Sequence, residues 1–367
     1  MRQKRSIYSK FKRLSVLAYV VIFIMACNTE VSNQLEPKGT ALGKMNEIVV
    51  IADKDLWEGA IGDTFRYYFE SAYPIMPQPE PLFDLRHFTP EELAEQPLRK
   101  ELRTYSILAD LSNPESSTTK MVKRDIGLEK VENTLQTKKN LSSVGKDKWA
   151  RGQLLIYLYG ADRASLNEAI TQSFSAMTRR IHKHDEKQLR SSIYVDKINQ
   201  GLSKKITERY SLDFTVPGDF VEVPHNIDQQ VLWLRKDTDK AILNIVFQRV
   251  PYKDQKQLSK EGIITLRNSF GKTYVSPEDP NNVMIVDDGN LPVYEYTFDL
   301  QDHYGKELRG IWEMTNTFSG GPFNTYLILD EARKDLIYID VFVLAPGTTK
   351  RNLMMQLDYL VKNAKLI

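Results

Sequence analysis

Residues 153–159 read Gln-Leu-Leu-Ile-Tyr-Leu-Tyr, and a short polar loop separates this apolar run from a helical pattern that begins near Ser165. After that point apolar residues recur at every third or fourth position, namely Leu166, Ile170, Phe174, Met177 and Ile181. A short apolar run rich in aromatic and β-branched residues predicts a buried strand, and the following spacing predicts an amphipathic helix. A strand and a helix in this order form one packing unit, because the helix can cover a face of the sheet.

The same order of strand, loop and helix occurs twice more. Residues 47–52 precede a helix predicted to begin near Asp55, and residues 336–344 precede a final helix predicted from about Thr349. Much of the C-terminal half instead alternates apolar and polar residues, as at 293–300, which is typical of antiparallel strands. We therefore predict an α+β fold. Strand–helix units form an N-terminal lobe, and a mostly antiparallel sheet with helices on one face forms a C-terminal lobe.

The first 26 residues have the pattern of a bacterial export signal. Six basic residues lie within the first thirteen positions, and an apolar run from Leu14 to Ala26 follows them. A run of this length is too short to span a membrane comfortably. The run ends at Cys27, the only cysteine of the chain, and this junction resembles a bacterial lipobox. The resemblance implies cleavage after Ala26 and lipid attachment to Cys27. A secretory signal with a chance cysteine and an uncleaved anchor are the alternatives.

We expect four segments along the chain. They are a lipoprotein signal peptide at 1–26, a flexible tether at 27–44, an N-terminal lobe at 45–148 and a C-terminal lobe at 149–367. The lobe boundary follows the charged stretch 116–148, which is short of aromatic residues. Since each buried methylene contributes about 0.8 kcal/mol, two or three acyl chains would hold the protein firmly on a membrane. Asn28 lacks the aspartate type of inner-membrane retention signal, so we expect the outer membrane, with the periplasmic or exterior face left open.

The charge of the chain argues against a nucleic-acid partner. The full sequence has 50 Lys and Arg against 48 Asp and Glu, and loss of the first 26 residues leaves 44 basic side chains. A mildly acidic mature protein lacks the basic character of nucleic-acid binders. The expected partners are the membrane, through the N-terminal lipid, and proteins of the envelope.

The sequence contains no recognisable metal or cofactor motif. His182 and His184 lie two positions apart, so on a helix their side chains point about 200° apart. We expect them to contribute positive charge at the C-terminus of the second helix, where a cation interacts favourably with the helix dipole. The stretch 39–45 lacks the spacing and the hydroxyl residue of a phosphate loop, and 287–290 has the composition of a turn. An acylated Cys27 would leave no cysteine nucleophile. We therefore expect no cofactor and no metal site.

Carboxylates offer the one enzymatic alternative. Glu295 and Asp299 share a face of their predicted strand, and Arg309 and Glu313 share a face of the next strand. Whether these two sets meet depends on the hairpin register, because a slip of one residue moves a set to the other face. Glu295, Asp299 and Glu313 are therefore candidates for a hydrolase acting on envelope polymers. The simpler interpretation is that they are solvated positions on the outer face of a half-buried sheet.

Two further motifs lie near predicted strand or helix starts. Residues 149–153, Trp-Ala-Arg-Gly-Gln, place an aromatic ring, a cation and an amide where the chain enters a strand. Gly59 and Gly62 lie within the first predicted helix, where each glycine costs about 1 kcal/mol relative to alanine. We interpret these glycines as places of close packing, with a ligand approaching the backbone as the alternative.

Several short motifs, together with the export signal, resemble a family of Bacteroidota lipoproteins known as domain of unknown function 4837. They are Asn46–Ile51, Trp57, Gly62–Asp63, Pro77–Pro81, Trp149–Gln153, Gly321–Pro322 and Ala345–Gly347. The resemblance covers nearly all of the mature chain and implies an envelope location in a Gram-negative bacterium. It implies no activity and no site residue.

We therefore expect a lipid-anchored envelope protein without enzymatic activity that acts as a binding or assembly module. The envelope polymer hydrolase is the alternative, and a small-ligand carrier using the aromatic-rich β half is a third hypothesis.

Overall fold

The structure of the chain is a computed structural model. It describes residues 38–139, 141–225, 230–275 and 278–367. The predicted signal peptide, Cys27 and the first part of the predicted tether lie outside these residues. Among the residues that the structure describes, no helix combines the length and the apolar character needed to span a bilayer.

The N-terminal lobe is built around a five-stranded sheet. Its strands are β1 (Glu47–Ile51), β2 (Asp84–Phe88), β3 (Thr104–Asp110), β4 (Ser142–Lys146) and β5 (Leu154–Gly160). Their order is β2-β1-β3-β5-β4, and each neighbouring pair is parallel except β4 with β5. The central strands β1, β3 and β5 are buried along their whole length. Burial on both faces explains why these strands are continuous apolar runs in the sequence.

Helices cover both faces of this sheet. They are α1 (Lys54–Trp57), α2 (Ala60–Phe69), α3 (Pro90–Glu95), α4 (Ser117–Ile126), α5 (Leu128–Thr137) and α6 (Arg163–Ile193). The apolar sides of α2 and α6 share one core with alternate residues of β1 and β5. Leu93 of α3 and Met121 of α4 belong to the core on the opposite face. A short 3-10 helix at Pro97–Glu101 connects α3 to β3.

The second strand–helix unit was predicted to belong to the C-terminal lobe at 149–367, but its strand is part of the N-terminal sheet. Strand β5 pairs with β3 in register Leu154↔Thr104, so it belongs to the N-terminal sheet. The charged stretch before it contains α4, α5 and the edge strand β4, which are solvated on one side. Its high charge therefore reflects the surface of the N-terminal lobe. Helix α6 begins on the N-terminal sheet, and Leu189 and Ile193 at its end enter the core of the C-terminal lobe.

Within the described residues, the C-terminal lobe is built around an eight-stranded antiparallel sheet. Its strands are β7 (Val221–Glu222), β8 (Val231–Asp237), β9 (Ile242–Pro251), β10 (Met284–Val286), β11 (Tyr294–Leu300), β12 (His303–Met314), β13 (Gly320–Asp330) and β14 (Asp335–Leu344). Two short strands, β6 (Leu212–Asp213) and β15 (Lys365–Leu366), form a separate pair. The order is β10-β12-β13-β14-β9-β8-β7. Strand β11 pairs with residues 303–309 of β12, and β10 pairs with residues 312–314 of the same strand.

Three helices pack on the C-terminal sheet, and they cover both of its faces. They are α7 (Gln200–Tyr210), α8 (Lys260–Tyr274) and α9 (Arg351–Lys362). Helices α7 and α9 share one core with Ile245 and Ile339, whereas α8 packs on Val246 and Tyr338. The α+β prediction is confirmed, but the helices are not confined to one face. Adjacent residues of β9 and β14 are both apolar, so each face of the sheet requires a cover.

The helix starts differ by a few residues from the predicted ones. The first predicted helix is divided into α1 and α2 at Gly59. Asp162 caps α6 in a capping box with Ser165, so the helix begins before the predicted position. It continues to Ile193, which places His182 and His184 inside the helix rather than at its end.

The two lobes are joined by buried and partly buried hydrogen bonds. The Glu80 carboxylate accepts from the backbone N–H groups of Lys350 and Arg351, at 2.6 and 2.8 Å, where α9 begins. The Arg351 guanidinium donates to Asp84 at 2.8 Å, and the Asn46 backbone N–H donates to Asp185 at 2.9 Å. A carboxylate at a helix N-terminus satisfies free N–H groups and interacts favourably with the helix dipole.

Candidate ligand-binding cleft

A cleft of about 520 Å³ lies on the N-terminal lobe between α3 and α4. Its apolar lining includes Trp149, which is partly exposed, and the buried side chains of Leu93 and Met121. Four cationic side chains border it, namely Lys100, Lys120, Arg124 and Lys148, and the remaining lining residues are Pro90, Glu91, Ala94 and Ser117. Its volume lies in the range of small-molecule sites, which combine an apolar lining with a few polar groups.

Local capping interactions fix the two helices that form the walls. Thr89 and Glu92 form a capping box at the start of α3, and Pro90 occupies the first turn. Ser116 caps α4 by accepting from the Thr119 N–H at 3.1 Å. The Ser117 hydroxyl donates to Glu91 and so links the first turns of the two helices. This hydrogen bond holds the pKa of Glu91 below its ordinary value.

The motif at 149–153 positions the aromatic side of the cleft. The Gln153 side-chain oxygen accepts from the Trp149 and Ala150 N–H groups at 2.8 and 2.9 Å. Its amide nitrogen donates to the carbonyls of Lys100 and Leu102, both at 2.7 Å. Gln153 is almost completely buried, so its four hydrogen bonds satisfy an amide that would otherwise be costly to bury. The motif therefore ties the Trp149 loop to the segment that carries Lys100.

A tight turn completes this loop. Gly152 has a φ of +85°, a conformation that favours glycine. The Asp147 side chain accepts from the N–H groups of Gly152 and Gln153 at 2.5 and 3.1 Å. Trp149 is therefore held by a hydrogen-bonded turn, and the ring of Tyr105 packs edge-on against it at 5.1 Å.

Four cations border the cleft, and three of them pair with carboxylates, Arg124 with Asp125 at 3.2 Å. Lys148 lies 4.8 Å from the centre of the Trp149 ring and pairs with Asp125, which also accepts from the Tyr157 hydroxyl at 3.1 Å. Burial lowers the pKa of Lys148, and burial raises the pKa of Tyr157. Lys120 pairs with Glu115 at 2.9 Å on the solvated rim. Cationic donors around an apolar surface suit an anion that carries an apolar or aromatic part.

The carboxyl edge of the N-terminal sheet is closed by internal hydrogen bonds. In open parallel sheets, ligands bind beyond the carboxyl ends of the strands where the strand order reverses, which here is between β1 and β3. Asp53 follows β1 and accepts from the hydroxyls of Ser116 and Thr118 and from the Thr118 N–H. Asp110 at the end of β3 accepts from the hydroxyl and N–H of Ser112. These carboxylates therefore fix the start of α4.

The carboxylates proposed for a hydrolase do not form a pair. The register places Tyr294 opposite Arg309 and Glu295 opposite Leu308, so Glu295 and Asp299 lie on the face opposite to Arg309 and Glu313. The Glu295 carboxylate pairs with Lys306. Asp299 accepts from the Asp302 N–H at 2.6 Å in the hairpin turn. The arrangement gives these residues structural roles.

Arg309 belongs to a buried polar cluster that the sequence did not reveal. Its guanidinium donates to Asp358 at 3.0 Å and pairs with Glu307. Asp358 also accepts from the hydroxyl of Tyr326, and burial raises the pKa of this tyrosine. The cluster ties α9 to the strands β12 and β13, which precede this helix in the sequence.

The histidines and the 287–290 segment contact protein groups in the structure. No group of three or more His, Cys, Asp or Glu there could hold a metal ion. His182 packs against Phe83 at a ring-centre distance of 5.5 Å. The segment 287–290 forms a turn in which Asp287 accepts from the backbone and side-chain N–H groups of Asn290.

Sequence reasoning singled out Trp149 but missed most of the cationic border. Lys120 and Arg124 lie four positions apart on α4, with Ser117 and Met121 on the same side. This basic helix face was the available signal. Lys100 and Lys148 reach the cleft through tertiary structure, since they precede β3 and β5 respectively.

Two family models match the chain. Residues 199–363 match the family described as Domain of unknown function (DUF4837), and residues 41–194 match Domain of unknown function (DUF8532). The predicted resemblance to domain of unknown function 4837 is confirmed for residues 199–363. This match covers the C-terminal lobe, whereas the resemblance extended over nearly all of the mature chain. The two matches meet between 194 and 199, directly after α6 ends.

The chain is also similar to two solved structures at 10% sequence identity. One is the Ran-binding protein Mog1p of Saccharomyces cerevisiae, with a TM-score of 0.30, covering 42% of this chain and 90% of that chain. The other is LpqN, involved in cell envelope biogenesis of Mycobacterium tuberculosis, with a TM-score of 0.27, covering 42% of this chain and 82% of that chain. Such TM-scores carry no argument about function. No curated protein matches the chain.

Proposed function

We propose that this protein is a lipid-anchored binding module of the bacterial cell envelope, and that its N-terminal lobe binds an anionic ligand in the cleft between α3 and α4. The observation that carries the binding role is the border of Lys100, Lys120, Arg124 and Lys148 around an apolar surface. The mature chain is mildly acidic, so this concentration of cations is a local feature that an anion would recognise.

The lipid anchor rests on the sequence before the first folded element. A basic segment, an apolar run and Cys27 follow one another in the order of a lipoprotein signal. Lipid on Cys27 would leave a tether that is shorter than the predicted 27–44, because Gly39 and Ala41 already exchange backbone hydrogen bonds with Arg151 and the Leu42 N–H donates to the Glu101 carbonyl. Asn28 favours the outer membrane, and Bacteroidota lipoproteins are the group that the sequence resembles.

The cleft favours a ligand in which charge and apolar surface lie next to each other. Trp149 and Met121 can cover an apolar or aromatic part, while Lys120 and Arg124 approach an acidic group from α4. The hydrogen bonds of Gln153 and Ser117 hold the two sides of the cleft before any ligand arrives. Such preorganisation lowers the entropy cost of binding.

A charge-reversal experiment tests the cleft. The fluorescent probe 1-anilinonaphthalene-8-sulfonate combines a sulfonate with fused apolar rings, and we expect it to bind here. Lys120→Glu should weaken binding about tenfold, because the substitution replaces attraction by repulsion near the sulfonate. Lys123→Glu is the matched control, since Lys123 lies on the same helix but does not line the cleft. Fluorescence titration at low and high salt measures both, and equal losses in the two variants would refute the cleft as the binding site.

Mass spectrometry of the mature protein tests the anchor. We expect an N-terminal Cys27 that carries acyl chains, and we expect Cys27→Ser to move the protein out of the membrane fraction. The reason is that the lipid, rather than an apolar helix of the described chain, would supply the membrane affinity. An intact Met1 or an unmodified Cys27 sulfur on the exported protein would rule the anchor out, and the cleft could then still be tested separately.

A further inference from the structure

The loop between β12 and β13 is held by hydrogen bonds and carries an exposed phenylalanine. Thr315 and Asn316 donate from their backbone N–H groups to the Val283 carbonyl and the Asn282 side chain, at 3.0 and 3.1 Å. Further hydrogen bonds join the loop to the carbonyl of Asn281. Phe318 lies in this loop and is fully exposed, more so than any other large apolar residue in the part of the chain that the structure describes.

An aromatic groove of about 290 Å³ adjoins the same loop. Its lining includes the aromatic residues Trp233, Trp312 and Phe342 and the methionines Met284 and Met314. The Phe342 ring lies 5.9 Å from Trp312 and 6.3 Å from Trp233 between ring centres. Since a cavity of about 150 Å³ can hold benzene, the groove has room for a phenyl ring.

The groove and the exposed ring belong to one continuous surface. Thr317 and Ser319, the two neighbours of Phe318 in the chain, both line the groove. An exposed aromatic side chain beside an aromatic groove is a self-complementary arrangement, and a twofold axis allows each of two copies to use both features. We propose that the protein self-associates through this surface, with Phe318 of each copy seated in the groove of the other.

The charges on this surface permit two copies to approach. Arg235 is the charged side chain of the groove lining, and it pairs with Asp237 at 2.6 Å. The groove itself therefore presents no unpaired charge to a second copy among its lining residues. The indole N–H of Trp233 donates to Asn244 at 3.0 Å, so this polar group is already satisfied when a ring covers it.

The expected dimer is weak in solution. The area buried by two phenylalanine side chains and the surfaces they cover is smaller than the roughly 1,200–2,000 Å² that a standard interface buries. Confinement of two copies to one membrane would raise their effective concentration and favour the contact. The proposal predicts a dimer that depends on concentration and requires no ligand in the N-terminal cleft.

Photo-crosslinking of the full-length protein in membranes tests the contact. We replace Phe318 by p-benzoyl-phenylalanine, which keeps the aromatic ring and reacts readily with methionine side chains. Irradiation should give a covalent dimer, and mass spectrometry should locate the crosslink at Met314, the partly exposed methionine of the groove. The same probe in place of Tyr67, an exposed aromatic residue on the N-terminal lobe, is the control and should give no dimer.

A second variant measures the energetic role of the ring. Phe318→Ser should weaken self-association at least tenfold in sedimentation equilibrium, because the substitution removes the anchor from both halves of the contact. Since Phe318 is fully exposed, folding should be unchanged. A crosslink confined to the same chain, a crosslink to a different protein, or self-association that Phe318→Ser leaves unchanged would each overturn the proposal.

Discussion

Single side chains decide where the binding surfaces lie, and Gln153 is the clearest example. Its amide bridges the backbone N–H groups of Trp149 and Ala150 and the carbonyls of Lys100 and Leu102. An apolar side chain of similar size would keep the volume but leave four buried backbone groups without partners. The residue thus links the short sequence motif at 149–153 to the geometry of the cleft.

Replacing this amide should damage both stability and binding. We expect Gln153→Met to lower the free energy of unfolding by about 2–4 kcal/mol, since buried unpaired polar groups cost about 1–3 kcal/mol each and the loop relaxes in part. Urea denaturation measures this change in the free energy of unfolding. Titration with the anilinonaphthalene probe measures the accompanying loss of affinity for the cleft. Gln172→Met on the exposed side of α6 is the control and should change stability by less than about 0.5 kcal/mol. Equal effects at both positions would contradict the bridging role.

At the scale of whole elements, periodicity predicted the strands and helices whose patterns are local. The apolar run at 153–159 and the spacing from Leu166 to Ile181 correspond to β5 and α6. The pattern did not reveal which sheet β5 joins, because its pairing with β3 joins segments separated by α4, α5 and β4. The charge of 116–148 therefore looked like a boundary between lobes, whereas it is the solvated side of three elements.

The same distinction applies to the candidate sites. Trp149 was visible in the sequence because its motif is continuous, whereas Lys100 lies in a distant segment that Gln153 joins to this motif by a hydrogen bond to the Lys100 carbonyl. The hydrolase hypothesis depended on one hairpin register, and the observed pairing of Tyr294 with Arg309 separates the two carboxylate sets. Phe318 had no sequence signal, since only the folded loop shows that its ring is left uncovered.

At the scale of the whole molecule, the two lobes meet around buried polar groups. Helix α6 extends from one lobe into the other, and His182 lies on it near Phe83 of the N-terminal lobe and Arg351 of the C-terminal lobe. Burial lowers the pKa of His182, and the Arg351 charge adds to this effect while Asp185 opposes it. The junction therefore favours a neutral imidazole in the folded protein.

This junction should make the stability of the molecule depend on pH. Below the ordinary histidine pKa of about 6.5, the unfolded chain binds a proton at His182 that the folded protein binds less readily, so acid favours unfolding. We expect the free energy of unfolding to fall as pH decreases from about 6.5, by at most about 1.4 kcal/mol per pH unit for this residue. His182→Gln removes the titration and should flatten the slope between pH 6.5 and 5, measured by urea denaturation at constant ionic strength. His87 and His184, whose pKa values are also lowered by burial, would keep part of the slope in the variant. A slope identical to that of the natural protein would show that the lobe junction does not hold His182 in its neutral form.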